Sequence, residues 1–339
     1  MKVGVIGLGG MGLHHAGDLR ALDLVTEVIG CDVVEAMRRR AEGKGIRTVK
    51  DIEALLAEKP DAIVVATQAT THAPIIRRCL EAGVPVLTEK PMTTDVKEGR
   101  KLVALAEKKG LHFQVGFEMP YNGSIIGMND IVARGIIGRP RYATLVQLCG
   151  HRFTRARNGG VFYEKLCHEI DLFRRLFGEP ERVMAIAGPQ VMKGCDVADN
   201  VVACLRFPGG ELGSITYLTT RSAQLGGTSD HGDRGHFFEL VLTCTNGSVT
   251  YDAWTETLEV VRFNHREDRK AELVESINFA ERYGKGEYNI ADEDRDFLER
   301  TRDGKPLRFP ASDAQVTMEW VERAERSLAE GGRWVAKDE

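Results

Sequence analysis

The sequence predicts an α/β protein, with a doubly wound parallel sheet at its N-terminal end and an α+β domain on an antiparallel sheet behind it. Three observations carry this expectation. Short apolar runs alternate with amphipathic helical stretches through the first 118 residues. A G-x-G-x-x-G turn separates the first of those runs from the first helix. Beyond Phe117 the alternation gives way to closely spaced β-rich runs divided by turn signals.

The 339 residues suffice for two domains with separate cores. With 42% hydrophobic and 28% charged residues, the composition is that of an ordinary folded globular protein. The net charge of −4 gives no electrostatic reason to expect a nucleic-acid partner. Seven cysteines are scattered without a CxxC pair, which suggests neither a zinc ribbon nor a disulfide framework. Buried, reduced thiols in a cytoplasmic protein are the expectation. Met1-Lys2 leads straight into an apolar run, so no signal peptide is expected. No apolar run approaches the length of a membrane span.

In the first 118 residues, strands are expected at 2–7, 27–31, 46–49, 62–66, 84–88 and 113–117. Helices are expected between them at 11–21, 34–43, 52–58, 72–82 and 96–109. Parallel neighbours need a crossover, which these helices supply. The strands are apolar nearly throughout, as a sheet covered on both faces requires. From 119 to 339 the pattern predicts helices at 125–134, 161–177 and 313–328. It predicts strands at 142–149, 182–187, 201–207, 212–219, 237–243, 248–251 and 257–262. Turn signals such as Pro208-Gly209-Gly210 and Asn246-Gly247 suit antiparallel hairpins. The expected domains are therefore 1–118 and 119–339.

Gly7-Leu8-Gly9-Gly10-Met11-Gly12 follows a strand and opens a helix, the context in which such a turn binds pyrophosphate. Glycines permit the tight turn and close approach of the backbone, and the helix N-terminus offers N–H groups to the phosphates. Asp32 lies 20 residues beyond Gly12, at the end of the second strand. A carboxylate there accepts from the ribose hydroxyls and repels a 2′-phosphate, which favours NAD over NADP. Arg38, Arg39 and Arg40 fall farther along, in the next helix.

With these elements placed, the chain resembles the glucose–fructose oxidoreductase/inositol dehydrogenase/MocA family. The carrying residues are Gly7 to Gly12, Ala66-Thr67 with His72, Glu89-Lys90-Pro91, and Gly138-Arg139-Pro140. Gly159-Gly160, His168, Asp171 and Gly178 complete the set. The resemblance implies a Rossmann domain, an open-faced antiparallel sheet, and hydride exchange between NAD and a sugar or cyclitol hydroxyl. It also implies a homodimer or homotetramer, and a cis peptide bond before Pro91.

Lys90 follows the fifth strand, on the side of an open α/β sheet where ligands bind. A lysine there either is a solvated strand-end residue or stabilises charge on a reacting oxygen; the resemblance implies the second. On a helix at 161–177, Leu166, Ile170, Phe173 and Phe177 form an apolar stripe. Glu164, His168, Asp171 and Arg175 cluster opposite it. That polar face is either solvated, with ordinary charge pairs, or turned into a cleft where His168 is a general base oriented by Glu164. Members of the family usually carry aspartate four residues before the histidine, in a D-x-G-x-H pattern. This chain has Glu164-Lys165-Leu166-Cys167-His168 instead.

The resemblance further places Ala66, Thr67, His72 and Glu89 along the cofactor groove and Glu118 near its nicotinamide end. Similar proteins often carry arginine near Phe117-Glu118, where this chain has Met119-Pro120-Tyr121-Asn122, so Tyr121 is expected among substrate contacts of its own. Asp171 either touches substrate or joins the charge network of its helix. Arg152, Arg155 and Arg157 hold an anionic substituent of a modified sugar, form a surface loop, or are part of a subunit contact. The glycine-rich stretch 226–235 is either a lid or an exposed loop, and no metal-ligand spacing is present. Two alternatives to a dehydrogenase stand beside it. One is a redox-neutral enzyme that cleaves or epimerises a glycoside with tightly held NAD. The other is a non-catalytic NAD-binding regulator.

Overall fold

The computed structural model describes residues 1–150, 159–191, 197–220, 236–253, 255–263, 271–284 and 289–339. They fall into two compact units.

The first unit comprises Met1–Glu118 and Asn289–Glu319. Its strands are β1 (Lys2–Ile6), β2 (Glu27–Cys31), β3 (Arg47–Val49), β4 (Ala62–Val65), β5 (Val86–Glu89) and β6 (Phe113–Gly116). Between them run α1 (Gly10–Ala21), α2 (Glu35–Glu42), α3 (Ile52–Ala57), α4 (Ala69–Glu81) and α5 (Val96–Lys109). The strand order is β3-β2-β1-β4-β5-β6 with every pairing parallel, the doubly wound sheet that the alternation predicts. The order reverses between β1 and β4, and the carboxyl ends of those strands open a crevice there. Aspartate side chains cap the starts of α3 and α5. Asp51 accepts from Ala54 N–H at 2.8 Å ahead of α3, and Asp95 from Lys97 N–H at 2.8 Å ahead of α5. No side chain among the described residues caps α1, whose N-cap is Gly9.

A helix absent from the sequence expectations belongs to this unit: α9 (Ile290–Asp303). Phe297 and Leu298 are fully buried in the core with Val3, Val5, Leu8 and Leu19. Truncating a buried phenylalanine of this kind costs about 3–5 kcal/mol. Residues 289–319, which the expected division assigns to 119–339, group with the first sheet in the structure.

The second unit comprises Met119–Tyr288 and Trp320–Glu339. It contains α6 (Gly123–Ala133), β7 (Pro140–Gly150), α7 (Cys167–Phe177), β8 (Arg182–Ala187), β9 (Asn200–Arg206) and β10 (Leu212–Thr220). The chain continues through β11 (His236–Cys244), β12 (Gly247–Asp252), β13 (Thr257–Phe263), β14 (Ala271–Asn278), α8 (Phe279–Tyr283), and, after α10 (Ala311–Ala329), β15 (Val335–Ala336). Among the described residues the sheet order is β14-β13-β12-β11-β7-β10-β9-β8-β15. All pairings are antiparallel except β7 with β10. One face is buried through Leu145, Ile215, Tyr217, Leu240 and Val249. A Cβ on Gly213 would stand 2.3 Å from the Phe173 ring, so α7 rests directly on β10. The opposite face leaves Tyr142, Ile186, Val202 and Leu212 exposed, which makes the sheet open-faced. No helix among the described residues is long and apolar enough to cross a membrane.

Candidate active site

The glycine turn after β1 is shaped by contacts that exclude side chains. Gly7 has φ +90°, donates its N–H to Cys31 O at 2.8 Å, and would place a Cβ 2.7 Å from Ala66 O. A Cβ on Gly12 would be 1.7 Å from Gly7 O. Gly9 and Gly10 differ, since a Cβ on either meets nothing within 4 Å. Their missing side chains leave open the mouth of a cavity of about 800 Å³, lined by Gly7, Gly9, Gly10, Asp32, Thr67 and Lys90 among others. The uncapped start of α1 beside that opening is suited to a pyrophosphate.

Asp32 lines the same cavity. Its Oδ2 accepts from Leu8 N–H and its Oδ1 from Val34 N–H, each at 2.8 Å, which fixes the carboxylate at the end of β2. Arg38 donates to the backbone oxygen of Asp32 at 2.7 Å, so its guanidinium is tied to the main chain. Val33, Val34, Met37 and Ile52 form an apolar wall next to Asp32. That wall escaped the sequence reading, although two adjacent valines directly after the acidic residue are its signal: Val33 is 82% exposed. Such an apolar surface suits the adenine ring. Glycine cradle, fixed carboxylate and apolar wall together fit a dinucleotide.

Met11, Ala66, Thr67 and Glu89 also line the cavity. Leu8, Gly12 and His72 stand behind that lining. Leu8 is a fully buried core residue whose amide serves Asp32, and Gly12 is the seat of α1 on the turn. His72 is buried with Nδ1 2.9 Å from Pro91 O and Nε2 3.2 Å from Thr67 O. It ties together the segments after β4 and β5. Burial lowers its pKa despite the carbonyls around it. The Lys90–Pro91 peptide bond is cis.

Glu118 is half-buried, outside the cavity lining, among other acids. Burial first, and the Glu89 charge second, push its carboxyl up to about 7. Glu293 on α9 is buried and raised well above the carboxylate range by burial and by Glu118. The sequence reading missed this cluster, which also contains His15 and Asp294.

In the second unit, Glu164 and His168 are half-buried. The expected straight α-helix at 161–177 begins instead with a π-helical turn, Phe162–Leu166, before α7. The wider turn rotates Glu164 relative to His168, away from the straight-helix alignment. Such turns recur at functional sites. Asp171 is 1% exposed, with Arg175 Nε at 2.6 Å and Arg174 Nη1 at 3.8 Å, so its part of the polar face is not solvated. It is thus part of the charge network of its helix. Gly159 and Gly160 have φ +95° and +103° and lead into the π turn. A Cβ on Gly160 would stand 2.4 Å from Glu325 Oε1, the atom that accepts from Phe162 N–H at 2.9 Å. Tyr121 is buried. Arg152, Arg155, Arg157 and the stretch 226–235 lie outside the described residues.

The sequence matches the GFO_IDH_MocA oxidoreductase family, NAD-binding Rossmann fold, over residues 1–117. It matches that family's C-terminal alpha/beta domain over residues 130–336. A myo-inositol 2-dehydrogenase of Thermotoga maritima is 27% identical across 97% of each chain. An inositol 2-dehydrogenase of Rhodococcus erythropolis is 33% identical across 56% of each. The crystal structure of GenD2 from gentamicin A biosynthesis, in complex with NAD, superposes with a TM-score of 0.80 at 25% identity. That comparison covers 99% of this chain and 96% of the other.

Proposed function

The chain belongs to the GFO_IDH_MocA family of NAD-binding oxidoreductases, and we propose that it is a dehydrogenase moving a hydride between NAD and a secondary hydroxyl of a sugar or cyclitol. The observation that carries the reading is one cavity holding both the dinucleotide determinants and Lys90. Two relatives named as inositol 2-dehydrogenases support the substrate class.

Bound NAD supplies the hydride acceptor. The backbone at Gly9 and Gly10 holds its pyrophosphate, and Asp32 accepts from the adenosine ribose. Lys90 donates to the reacting oxygen and stabilises the charge that develops as the hydroxyl proton leaves. His168 takes that proton, and Glu164 orients the imidazole in place of the family's aspartate. The reading includes a homo-oligomer working in the cytoplasm. The oligomer is supported by the exposed apolar side chains Tyr142, Ile186, Val202 and Leu212 on one sheet face, each at least 38% exposed.

The test is a panel of sugars and cyclitols, myo-inositol included, followed by NADH absorbance for wild type and Lys90→Ala. The variant should bind NAD normally while turnover falls about 10²–10³-fold, the usual cost of losing one such donor. Unchanged turnover overturns the assignment. Product formed without net NADH would mark the redox-neutral reaction instead.

A further inference from the structure

His15 lies on the second turn of α1, and its side chain is fully buried. The ring spans two acids. Nδ1 is 3.0 Å from both carboxylate oxygens of Asp294 on α9, and Nε2 is 3.3 Å from Glu89 Oε1 at the end of β5. The other oxygen of Glu89 accepts the backbone N–H of Lys90 at 3.0 Å. A neutral imidazole donates from one nitrogen only, so two carboxylates at opposite ends are both satisfied by the doubly protonated ring.

We propose that His15 is a positioning residue for Lys90: it clamps the Glu89 side chain against the Lys90 amide and thereby fixes the turn that presents the lysine to the groove. The proposal rests on the reading of Lys90 given above.

Electrostatics agree with the geometry. Burial opposes a charge on His15, yet attraction and hydrogen bonds from Asp294 and Glu89 hold it well above its ordinary range. Burial likewise opposes the Glu89 carboxylate, but the His15 hydrogen bond and charge, with Lys90, keep it below the usual value. The other titratable groups around the pair are Glu293 and Asp294 on α9, Glu118 after β6, and Asp18 on α1. Both Glu118 and Glu293 are raised by burial, and so contribute little negative charge to compete for the imidazolium at acidic pH. Without His15, Glu89 keeps the burial and the acidic neighbours and loses its main opposing charge. It then protonates more readily and loosens its hold on the Lys90 amide.

The test has two arms. In ¹⁵N spectra of the wild-type histidines, His15 should remain doubly protonated well above neutral pH. A neutral His15 at pH 7 overturns the clamp. In kinetics, His15→Gln should move the acid limb of kcat up by about one unit, so kcat falls up to about tenfold on the acid side of that limb and recovers as pH rises above it. KM should change little. Asp294→Asn, which keeps the side-chain shape, should shift the limb the same way by less, and serves if His15→Gln does not fold. A pH-independent loss in both variants would mark a merely structural residue and overturn the proposal. If Lys90→Ala keeps turnover, the reading of Lys90 fails while the ¹⁵N spectrum still reports on the clamp. If Lys90→Ala is inactive and His15 is neutral, the clamp alone fails.

Discussion

A Cβ on Gly12 would stand 1.7 Å from the carbonyl oxygen of Gly7, a distance no real contact tolerates. Helix α1 therefore rests on the turn with no spacer. Gly12→Ala must push the helix off its seat, so thermal stability and NADH affinity should fall together. Gly9→Ala is the informative companion, since its methyl meets open space. It should melt like wild type and still bind NADH more weakly, because the methyl enters the groove. Fluorescence titration with a thermal melt checks both. Equal NADH affinity in Gly9→Ala would remove the pyrophosphate from that position.

Asp32 accepts two backbone N–H groups while facing the groove, so its substitution has a readable selectivity effect. Asp32→Ala removes the ribose acceptor and the charge that repels a 2′-phosphate. NAD affinity should drop about tenfold, within the range for losing a hydrogen bond to a charged group, and the preference over NADP should shrink. A preference ratio equal to wild type would show that Asp32 does not select the cofactor.

Glu293 sets a pH dependence whose sign is fixed by its burial. Its folded-state pKa is raised well above the ordinary 4.5, so the folded chain holds a proton that the unfolded chain releases. Stability then declines as pH rises from about 4.5 towards the folded-state value. Glu293→Gln removes this loss. Denaturant melts should show the variant gaining on wild type between about pH 5 and pH 8, and no such gain at pH 4. A constant difference across that range would contradict the buried-acid account.

The parallel half of the fold was legible because each strand is an apolar run and each helix an amphipathic one, with the glycine turn marking β1. Asp32 and the strand-end Lys90 were legible as crevice residues for the same reason, since topology puts both at the carboxyl ends of strands, and both line one cavity. Helix α9 was not, because nine of its 14 residues are charged and an apolar stripe is hard to see. Glu293 and Asp294 turn inward there, and Asp294 meets His15 279 residues away, a partnership no local pattern encodes. His72 shows a subtler limit. Its place in the motif was visible, but the direction of its ring, towards Pro91 O and Thr67 O, was not. Nor does a straight-helix wheel reveal the π turn that displaces Glu164, or the burial of Asp171 beside Arg174 and Arg175.

Synthesis runs from one end of the chain to the other, and α9 comes late in it. When residue 118 leaves the ribosome, the parallel sheet still lacks Phe297, Leu298 and the acid that His15 faces. The nascent nucleotide-binding unit must wait, with an uncovered apolar patch and a histidine short of its second acid, until 289–319 has emerged. A proteolytic cut or premature stop ahead of Asn289 would therefore injure cofactor retention along with everything encoded after it.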